Sequence, residues 1–330
     1  RLDNDGVSIS FYDYEDDDYI NKLASKGLKC SFMALKNNEL VKPFESITEM
    51  FTLPSKSDID PNPVMGFWYW LTFGVMMGDV GYGIVMILFF YFIIKAKKPK
   101  EGTKKFMQTF MFSGVSTIIW GILFGSYFGF EYKPILFAMM DEPLKMLIFS
   151  LGFGLCQIIS ALVVSAYKNY KEKHYVDIIF DQVSWIALLV GIAFIAIPGF
   201  KKAGIFLAIF GGVIILVTGR RHKRKFFEKI MGGFGSLYGI INYMGDILSY
   251  SRLLALGLST NIIGMVMNML AGMIQGSVIG YILSIPIYII GHTFNIAMGL
   301  LSAYVHDSRL QYIEFFGKFF EGGGVGFKPL

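Results

Sequence analysis

The sequence predicts an all-α polytopic membrane protein with about eight transmembrane helices, preceded by a small α/β cytoplasmic remnant. Three observations predict this fold class. Hydrophobic residues make up 54% of the 330 residues and charged residues only 17%, whereas soluble domains are about 25% charged. The mean hydropathy is +0.53. The apolar residues also fall into runs of roughly 20, the length of a helix that crosses a bilayer.

Residues 1–63 are predicted to be the end of a cytoplasmic N-terminal domain and its linker, and residues 64–330 a transmembrane domain. The first segment has twelve acidic and seven basic residues, a net charge of −5, whereas the second has a net charge of +10. Residues 7–14 are predicted as a strand and residues 18–26 as a short helix. Four prolines then indicate an extended linker: Pro43, Pro54, Pro61 and Pro63. Because the chain begins with Arg1 and has no signal peptide, we expect the C-terminal portion of a longer protein.

The overall charge of +5 does not indicate a nucleic-acid partner. The basic residues lie in short clusters between apolar runs, as they do in the cytoplasmic loops of membrane proteins. The two cysteines, Cys30 and Cys156, lie in different parts of the chain. A disulfide framework is therefore excluded.

Six hydrophobic runs each predict one membrane-spanning helix. They are residues 106–130, 144–167, 178–198, 203–219 and 280–305, with a sixth helix inside 230–274. The remaining run, residues 64–94, would be about 46 Å long as one helix, well over the ~30 Å hydrocarbon core. Its middle, Gly78–Gly83, combines turn-forming glycines with an acid. Two short spans joined by a tight turn are therefore predicted, and they bring the total to eight.

The charges of the loops predict which side of the membrane each loop faces. Clusters of lysine and arginine follow alternate runs, at residues 95–105, 168–173 and 220–225. The intervening loops are short, uncharged or slightly acidic, at residues 131–143, 199–202 and 275–280. By the positive-inside rule the basic loops are cytoplasmic. Both the C-terminus and residues 1–63 are then cytoplasmic, provided that residues 64–94 cross twice.

Arg252 is the first candidate functional residue, because it lies in apolar sequence with no acid within one helical turn. The nearest acid in the sequence, Asp246, lies six residues earlier, about 240° away around a helix. Ionisable groups inside spans cost about 2.5–3.5 kcal/mol each on insertion scales and are functional candidates by default. Two other interpretations stay open: a buried ion pair with an acid on another helix, and a side chain that reaches back to the membrane surface.

The last predicted helix has a polar stripe on an otherwise apolar surface. At 100° per residue its members fall within an arc of about 100°: His292, Asn295, Gly299, Ser302, His306 and Arg309. A stripe that hydrates and titrates suits an aqueous path for a small ion, since histidine exchanges protons near neutral pH. The alternative is a network of hydrogen bonds between helices that transports nothing.

No nucleophile–base constellation and no phosphate-binding loop is recognisable, and no cofactor is expected. A metal site is disfavoured because His292 and His306 are fourteen residues apart, about 21 Å along a helix. His174 and His222 lie in basic loops and are interpreted as solvated. If the protein takes part in ATP-driven work, we expect the nucleotide to be handled by another chain.

Four separated motifs between about Pro43 and Pro329 carry a resemblance to a known family. They are Pro43-Phe44-Glu45 with Met50-Phe51 and Pro54, leading into residues 60–63; residues 73–83; residues 248–259; and residues 306–315 with 318–320 and 322–324. Together they resemble the membrane stator subunit of rotary V-type and A-type ATPases, called subunit a or subunit I, in its bacterial or archaeal form. The resemblance implies an integral protein of a bacterial or archaeal cell membrane.

The resemblance also implies site residues. The essential arginine of the family's seventh helix maps onto Arg252, and the arginine of the eighth helix maps onto Arg309. Eukaryotic members have an acid ten residues before the second arginine, where this sequence has Gly299. Asp246 and Glu314, acids beside or within the same motifs, complete the predicted ion-translocation residues.

The implied partners are a rotor ring of small hydrophobic subunits that carry a carboxylate, peripheral stalk subunits, an ATP-hydrolysing soluble sector and the lipid bilayer. Two long, tilted C-terminal helices are expected to embrace the ring. A rotor carboxylate that faces lipid must be neutral. Beside Arg252, at about 4 Å and an effective dielectric of 20, it gains about 4 kcal/mol of attraction, which favours its ionised form. The H⁺ or Na⁺ of the rotor carboxylate leaves by one half-channel, and a second ion enters from the opposite half-channel. Because the resemblance assigns ATP hydrolysis or synthesis to other subunits, this chain is expected not to be an enzyme.

Two other classes of function remain open from the sequence. A secondary transporter with a substrate site at the midplane predicts an internal repeat, and none is evident between the two halves. A structural anchor predicts that loss of Arg252 leaves ion flux unchanged.

Overall fold

The computed structural model describes residues 37–52, 54, 58–197, 199–218 and 238–322 as a bundle of helices with one two-stranded hairpin. The predicted strand at 7–14 and helix at 18–26 lie outside these residues. The elements are α1 (Glu45–Phe51), α2 (Asn62–Met77), α3 (Val80–Lys97), α4 (Glu101–Phe124), β1 (Ser126–Tyr127), β2 (Phe130–Glu131), α5 (Pro143–Lys171), α6 (Ser184–Ala196), α7 (Lys201–Thr218), α8 (Gly239–Ser249), α9 (Ser251–Ile274) and α10 (Val278–Arg309).

The predicted extended linker is wrong at residues 42–51, which form a 3₁₀ turn followed by α1. Pro43 lies in the first turn of that 3₁₀ segment and Pro63 in the first turn of α2. Proline at the start of a helix loses no backbone hydrogen bond and already has helical φ. These two prolines therefore begin helices. Tyr312 Oη donates to the Ile47 carbonyl at 2.7 Å, which fixes α1 against the C-terminal end of the bundle.

Helices α2 and α3 run in opposite directions along α4. Gly78 ends α2 with φ of +44°, and the Asp79 side chain caps α3 by accepting a hydrogen bond from the Tyr82 amide at 3.0 Å. Trp70 Nε1 donates to the Phe112 carbonyl, and Gly78 lies near Phe124, so α2 runs parallel to α4.

Helix α3 runs antiparallel to α4. Its first residue, Val80, lies against Gly121, whereas Phe90, further along, stacks on Phe110 at 5.3 Å. The predicted turn near Gly78 is confirmed as a reversal of the chain.

The predicted span at residues 106–130 extends too far, because α4 ends at Phe124. Gly125 and Gly129 have φ of +73° and +72°, a conformation that favours glycine over other residues. The chain turns at these glycines into the antiparallel pair β1–β2. Gly129 packs directly against the backbone of Gly264 in α9, which leaves no room for a side chain. The hairpin therefore inserts among the helices.

Helices α6 and α7 form a tight antiparallel pair. Gly191 packs against Ala208, Gly204 against Ile195, and Gly211 against Leu188, so backbone meets backbone along the pair. Small residues allow this close approach inside a membrane. A π-helical segment, Ile178–Val183, precedes α6 and joins the pair to α5.

The two C-terminal helical rods are the longest elements. α8 and α9 together cover Gly239–Ile274, and α10 continues through a π-helical turn to Lys318. At 1.5 Å per residue they measure about 54 and 60 Å, so each must tilt or project beyond a ~30 Å hydrocarbon core. The polar clusters described below lie on these rods.

One end of the bundle holds segments that are distant in sequence. Lys168, near the end of α5, lies 3.0 Å from both Asp58 Oδ1 and Glu321 Oε1. The Gly322 amide donates to Asp58 Oδ2 at 2.9 Å. The entry to α2, the end of α5 and the segment after α10 therefore lie on the same side of the bundle.

Five helices of the described chain are long and apolar enough to cross a membrane. They are Val80–Lys97, Glu101–Phe124, Pro143–Lys171, Gly239–Ile274 and Val278–Lys318. A shorter apolar helix covers Phe180–Ile195. The fold is that of an all-α, polytopic integral membrane protein.

Candidate ion-translocation site

Arg252 forms an ion pair with Glu314. Its Nη2 atom lies 3.3 Å from Glu314 Oε1, and the two side chains are 21% and 3% exposed. Of the interpretations that the sequence leaves open for Arg252, the structure therefore shows an ion pair with an acid from another part of the bundle. Arg252 Nη1 is buried without a hydrogen-bond partner in the described chain. One arm of the guanidinium is thus engaged, whereas the other is buried without an acceptor in the described chain.

Both members of this pair lie where a helix departs from regular α geometry. Arg252 follows Tyr250, the junction at which α8 ends and α9 begins. Glu314 lies in the π-helical turn Leu310–Phe315, which follows α10. Single π-helical turns inside α-helices are frequent at functional sites. Here the turn places Glu314 inside the bundle.

A second ion pair lies beside the first. Lys318 Nζ contacts Asp246 Oδ2, and the same ammonium lies 4.2 Å from the centre of the Tyr243 ring. Asp246 therefore pairs with lysine, not with Arg252. We call Arg252, Glu314, Asp246 and Lys318 the arginine cluster; it joins α8–α9 to the segment after α10.

Asp307, seven residues before Glu314, is fully buried. Its Oδ1 atom is hydrogen-bonded to Thr72 Oγ1 at 2.7 Å and to Gln311 Nε2 at 3.2 Å. Gln157 Nε2 of α5 donates to Gln311 Oε1 at 2.8 Å. A chain of polar side chains thus runs from α2 through α10 to α5 within an otherwise apolar core.

A third polar group lies near the middle of α10. His292 Nδ1 lies 2.9 Å from Tyr82 Oη, and His292 Nε2 lies 3.0 Å from Asn268 Oδ1. Asn295 Nδ2 donates to Tyr82 Oη and to the Thr260 carbonyl, both at 2.8 Å. We call Tyr82, His292, Asn295 and Asn268 the histidine network. It lies nineteen residues from Glu314 along the chain, about 28 Å along a helix.

Asp79 fixes the β1–β2 hairpin beside the histidine network. Its Oδ1 accepts from the Tyr82 and Phe128 amides, both at 3.0 Å. Its Oδ2 accepts from the Gly129 amide at 2.9 Å and from Ser126 Oγ at 2.7 Å. Three backbone amides donate to this fully buried carboxylate, and the Ser126 hydroxyl is placed to donate either to it or to Asn261 Oδ1 at 2.5 Å. Asp79 therefore serves as an anchor for the hairpin.

The predicted stripe on the last helix does not form one face towards the bundle. Asn295 is buried, His292, Ser302 and His306 are half-buried, and Arg309 is exposed. Arg309 makes no ion pair with the described residues, whereas His306 Nδ1 is buried without a hydrogen-bond partner there. The stripe divides between the interior and the outer surface because the buried face shifts around α10, from Asn295 to Asp307.

Several polar residues of these groups were not predicted from sequence. Asp307 lies about 60° outside the arc of the stripe, and Gln157, Thr72 and Tyr82 occur singly in apolar helices. A signal was present for Asp307, since an acid inside a predicted span is a functional candidate by itself. Nothing in the local pattern indicates which helices Gln157, Thr72 and Tyr82 would join.

The fold and these polar groups define a polytopic membrane protein with buried charges on two long C-terminal helices. Comparison with known proteins identifies the family: residues 32–142 and 240–330 match the V-type ATPase 116 kDa subunit family, and the chain belongs to it. The resemblance seen in the four motifs is thereby confirmed.

Curated relatives carry the name of one subunit. The A-type ATP synthase subunit I of Pyrococcus abyssi is 35% identical, covering 89% of this chain and 46% of the relative. That of Methanocaldococcus jannaschii is 32% identical, covering 89% and 48%. The V-type ATP synthase subunit I of Borreliella burgdorferi is 27% identical, covering 94% and 54%. The chain therefore spans about half the length of the curated relatives it matches.

Proposed function

We propose that this chain is the ion-conducting stator segment of a rotary A/V-type ATPase. The observation that carries the proposal is the Arg252–Glu314 pair, held at breaks in the two longest helices of a family member. Rotation of a ring of carboxylate-bearing subunits past Arg252 would drive H⁺ or Na⁺ across the membrane. Nucleotide is hydrolysed or made in other subunits, and this chain is not catalytic.

Arg252 displaces the ion from each rotor carboxylate in turn. Its Nη2 is held by Glu314, while Nη1 has no partner among the described residues. A rotor carboxylate that approaches the partly exposed guanidinium to about 4 Å gains roughly 4 kcal/mol at an effective dielectric of 20. That attraction favours the ionised, ion-free form of the carboxylate. Glu314 acts as a positioning residue, which keeps the planar guanidinium aimed while the ring moves.

The surface that meets the ring is the outer face of α9 and α10. It is apolar and exposed, as shown by Ile262, Val266, Ile285, Ile289 and Met298. Lipid covers such a surface equally well, and we assign it to the ring because α9 also carries Arg252. Arg309, exposed and unpaired with the described residues, lies further along the same helix and attracts the rotor carboxylate after it leaves Arg252.

Two half-channels lead to this point from opposite sides. The histidine network lies near the middle of α10 and the arginine cluster just after its end, so the two polar groups are separated along the helix. An ion enters at one of these two polar groups, is carried around by a rotor carboxylate, and leaves at the other polar group. Arg252 lies where the second route meets the ring, and its charge prevents leakage without rotation.

The proposed topology has eight spans, with residues 1–63 and the C-terminus in the cytoplasm of a bacterial or archaeal cell. The reversal between α2 and α3, and the ion pairs of Lys168 with Asp58 and Glu321, support it. Residues 1–63 are the end of a cytoplasmic domain that contacts peripheral stalk subunits. Residues 64–330 are the ion-translocating domain.

The test is ATP-driven uptake of H⁺ and, separately, of Na⁺ into vesicles that contain the intact complex. We expect Arg252→Ala to abolish uptake while the complex still assembles, with subunit content measured on a gel. Arg252→Lys should also largely fail, because an ammonium lacks the planar fork and loses its proton more readily when desolvated. Lys133→Ala, an exposed charge in the loop after α4, is the control and should transport normally. Near-normal uptake by a fully assembled Arg252→Ala complex would overturn the proposal.

A further inference from the structure

Asp307 is an acid buried without a counter-charge. Its side chain is fully buried within the bundle, and no lysine, arginine or histidine nitrogen in the described chain lies within ion-pair distance of it. Desolvating an unpaired carboxylate is so costly that such groups usually become neutral. Its surroundings must therefore either compensate the charge or hold a proton on the acid.

The hydrogen bonds of Thr72 favour the second of these states. Thr72 Oγ1 lies 2.7 Å from the Trp68 carbonyl and 2.7 Å from Asp307 Oδ1, and it is placed to donate to either. A hydroxyl has one proton to donate, and a carbonyl oxygen has none. With Asp307 ionised, that one proton serves two acceptors. A proton on Asp307 Oδ1 would let Thr72 donate to Trp68 and accept from the carboxyl, so that each contact has a proton of its own.

The remaining contacts agree with a protonated carboxyl. Gln311 Nε2 donates to the same Oδ1 atom at 3.2 Å, where a carboxylic hydroxyl oxygen still accepts. An asparagine would satisfy Thr72 and Gln311 without any ionisable group. What a carboxyl adds is the ability to release a proton, and ionisable groups inside membranes mark ion and proton paths.

Polar atoms without partners continue from Asp307 towards the arginine cluster. The buried atoms with no hydrogen-bond partner in the described chain include Asp307 Oδ2, Gln157 Oε1, His306 Nδ1, Tyr250 Oη and Arg252 Nη1. Tyr250 is fully buried. Buried polar atoms normally have a partner, in protein or in water. Asp307 and Glu314 are seven residues apart, about 10 Å along a helix, and these unpartnered atoms are the polar groups available for a route between them.

We propose that Asp307 is a proton-binding residue of the transport path, protonated in the state that the structure describes. The inference rests on the proposed transport function and adds H⁺ as the ion that this side chain handles. In each cycle the Asp307 O–H bond breaks as an O–H bond forms on the Glu314 carboxylate. Glu314 then loses this proton to a rotor carboxylate and is ionised again beside Arg252, and the Asp307 carboxylate regains a proton from a hydronium ion of the aqueous phase. No oxidant or further reactant is needed.

Infrared spectroscopy of the intact complex tests the protonation state directly. With aspartate labelled by ¹³C at the side-chain carboxyl, a protonated acid gives an isotope-shifted C=O band at neutral pH. We expect one such band to be absent from Asp307→Asn. In Thr72→Val the band should move to higher frequency because the carboxyl loses its acceptor, whereas Thr72→Ser, which keeps the hydroxyl, should leave it in place. Absence of the band from the wild-type protein would overturn the proposal.

Transport tests the role of the proton. Asp307→Asn keeps the shape and the neutral charge, so the complex should assemble. Its ATP-driven H⁺ uptake should fall at least about tenfold, because the side chain no longer exchanges a proton. Uptake at the wild-type rate would overturn the role of Asp307 even if the band were present. The failure of the stator function would look different, since Arg252→Ala would then retain uptake.

Discussion

Arg252 and Glu314 form an ion pair 3.3 Å apart, and the helix of each is irregular at that point. No acid lies within four residues of Arg252 in the sequence. The one basic residue within four residues of Glu314 is Lys318, and it binds Asp246. The pair therefore depends on the packing of α9 against the end of α10. It is more buried on the glutamate side, at 3% exposure against 21% for arginine.

Replacement of Glu314 by glutamine should uncouple transport without preventing assembly. The amide keeps the shape but not the charge, and the half-exposed guanidinium can take up water in place of the lost carboxylate. Because Arg252 is then no longer fixed, we expect ATP-driven uptake to fall by roughly tenfold, which corresponds to about 1.4 kcal/mol in the barrier. Asp141→Asn, an exposed acid in the loop before α5, is the matched control. Unchanged uptake in Glu314→Gln would remove Glu314 from the mechanism.

Leucine at His306 or Ser302 should slow ion flux by removing a polar surface from the path. Both side chains are half-buried on α10, so a larger apolar group displaces water without entering the core. His306→Gln and Ser302→Ala preserve polarity or size and should transport better than the leucine variants. The rate of uptake per assembled complex is the measurement. Equal rates in all four variants would favour the alternative of a packing role for the stripe.

Asn38, Lys100 and Lys133 test the topology, because all three are exposed in the described chain. In a background without Cys30 and Cys156, single cysteines at these positions are labelled in sealed vesicles by a reagent that does not cross membranes. Positions 38 and 100 should react from the same side, and position 133 from the other. Labelling of 38 and 100 from opposite sides would reject the double crossing by α2 and α3.

Asp79→Asn should destabilise the protein, because one of the two acceptor oxygens becomes an amide group that faces N–H and O–H donors. Loss of a helix N-cap costs about 1 kcal/mol, and hydrogen bonds to a charged group are worth about 1.5–3 kcal/mol. We expect the free energy of unfolding to fall by roughly 2–4 kcal/mol on these values. The temperature of thermal unfolding in detergent measures it, with Asp141→Asn again as the control. A melting temperature equal to that of the wild type would show that the hairpin does not need this anchor.

Local sequence predicted the helices well where one long apolar run corresponds to one helix. The runs that became α5 and α10 needed only their own composition, since a span must satisfy its backbone hydrogen bonds within itself. The turn at Gly78 is also predicted from local sequence, because residues 64–94 are too long for one span and Gly78–Gly83 is rich in glycine. The predicted span at residues 106–130 ends too late because nothing in the apolar run marks Gly125 and Gly129 as turn positions, yet both adopt positive φ. Pro43 and Pro63 were misread because proline starts helices as readily as it extends a chain.

The sequence by itself determined that this chain is a membrane protein, which residues form most of its spans, and that Arg252 is a costly cation in an apolar helix. Tertiary structure alone decided that Arg252 binds Glu314, that Asp246 binds Lys318, and that Asp307 meets Thr72 and Gln311. The physical reason is that composition and helical period are local, whereas these contacts join residues 62, 72, 235 and 4 positions apart. Only the last of them is within reach of a single helix. The others form when the helices pack, and burial then selects which polar groups must find one another.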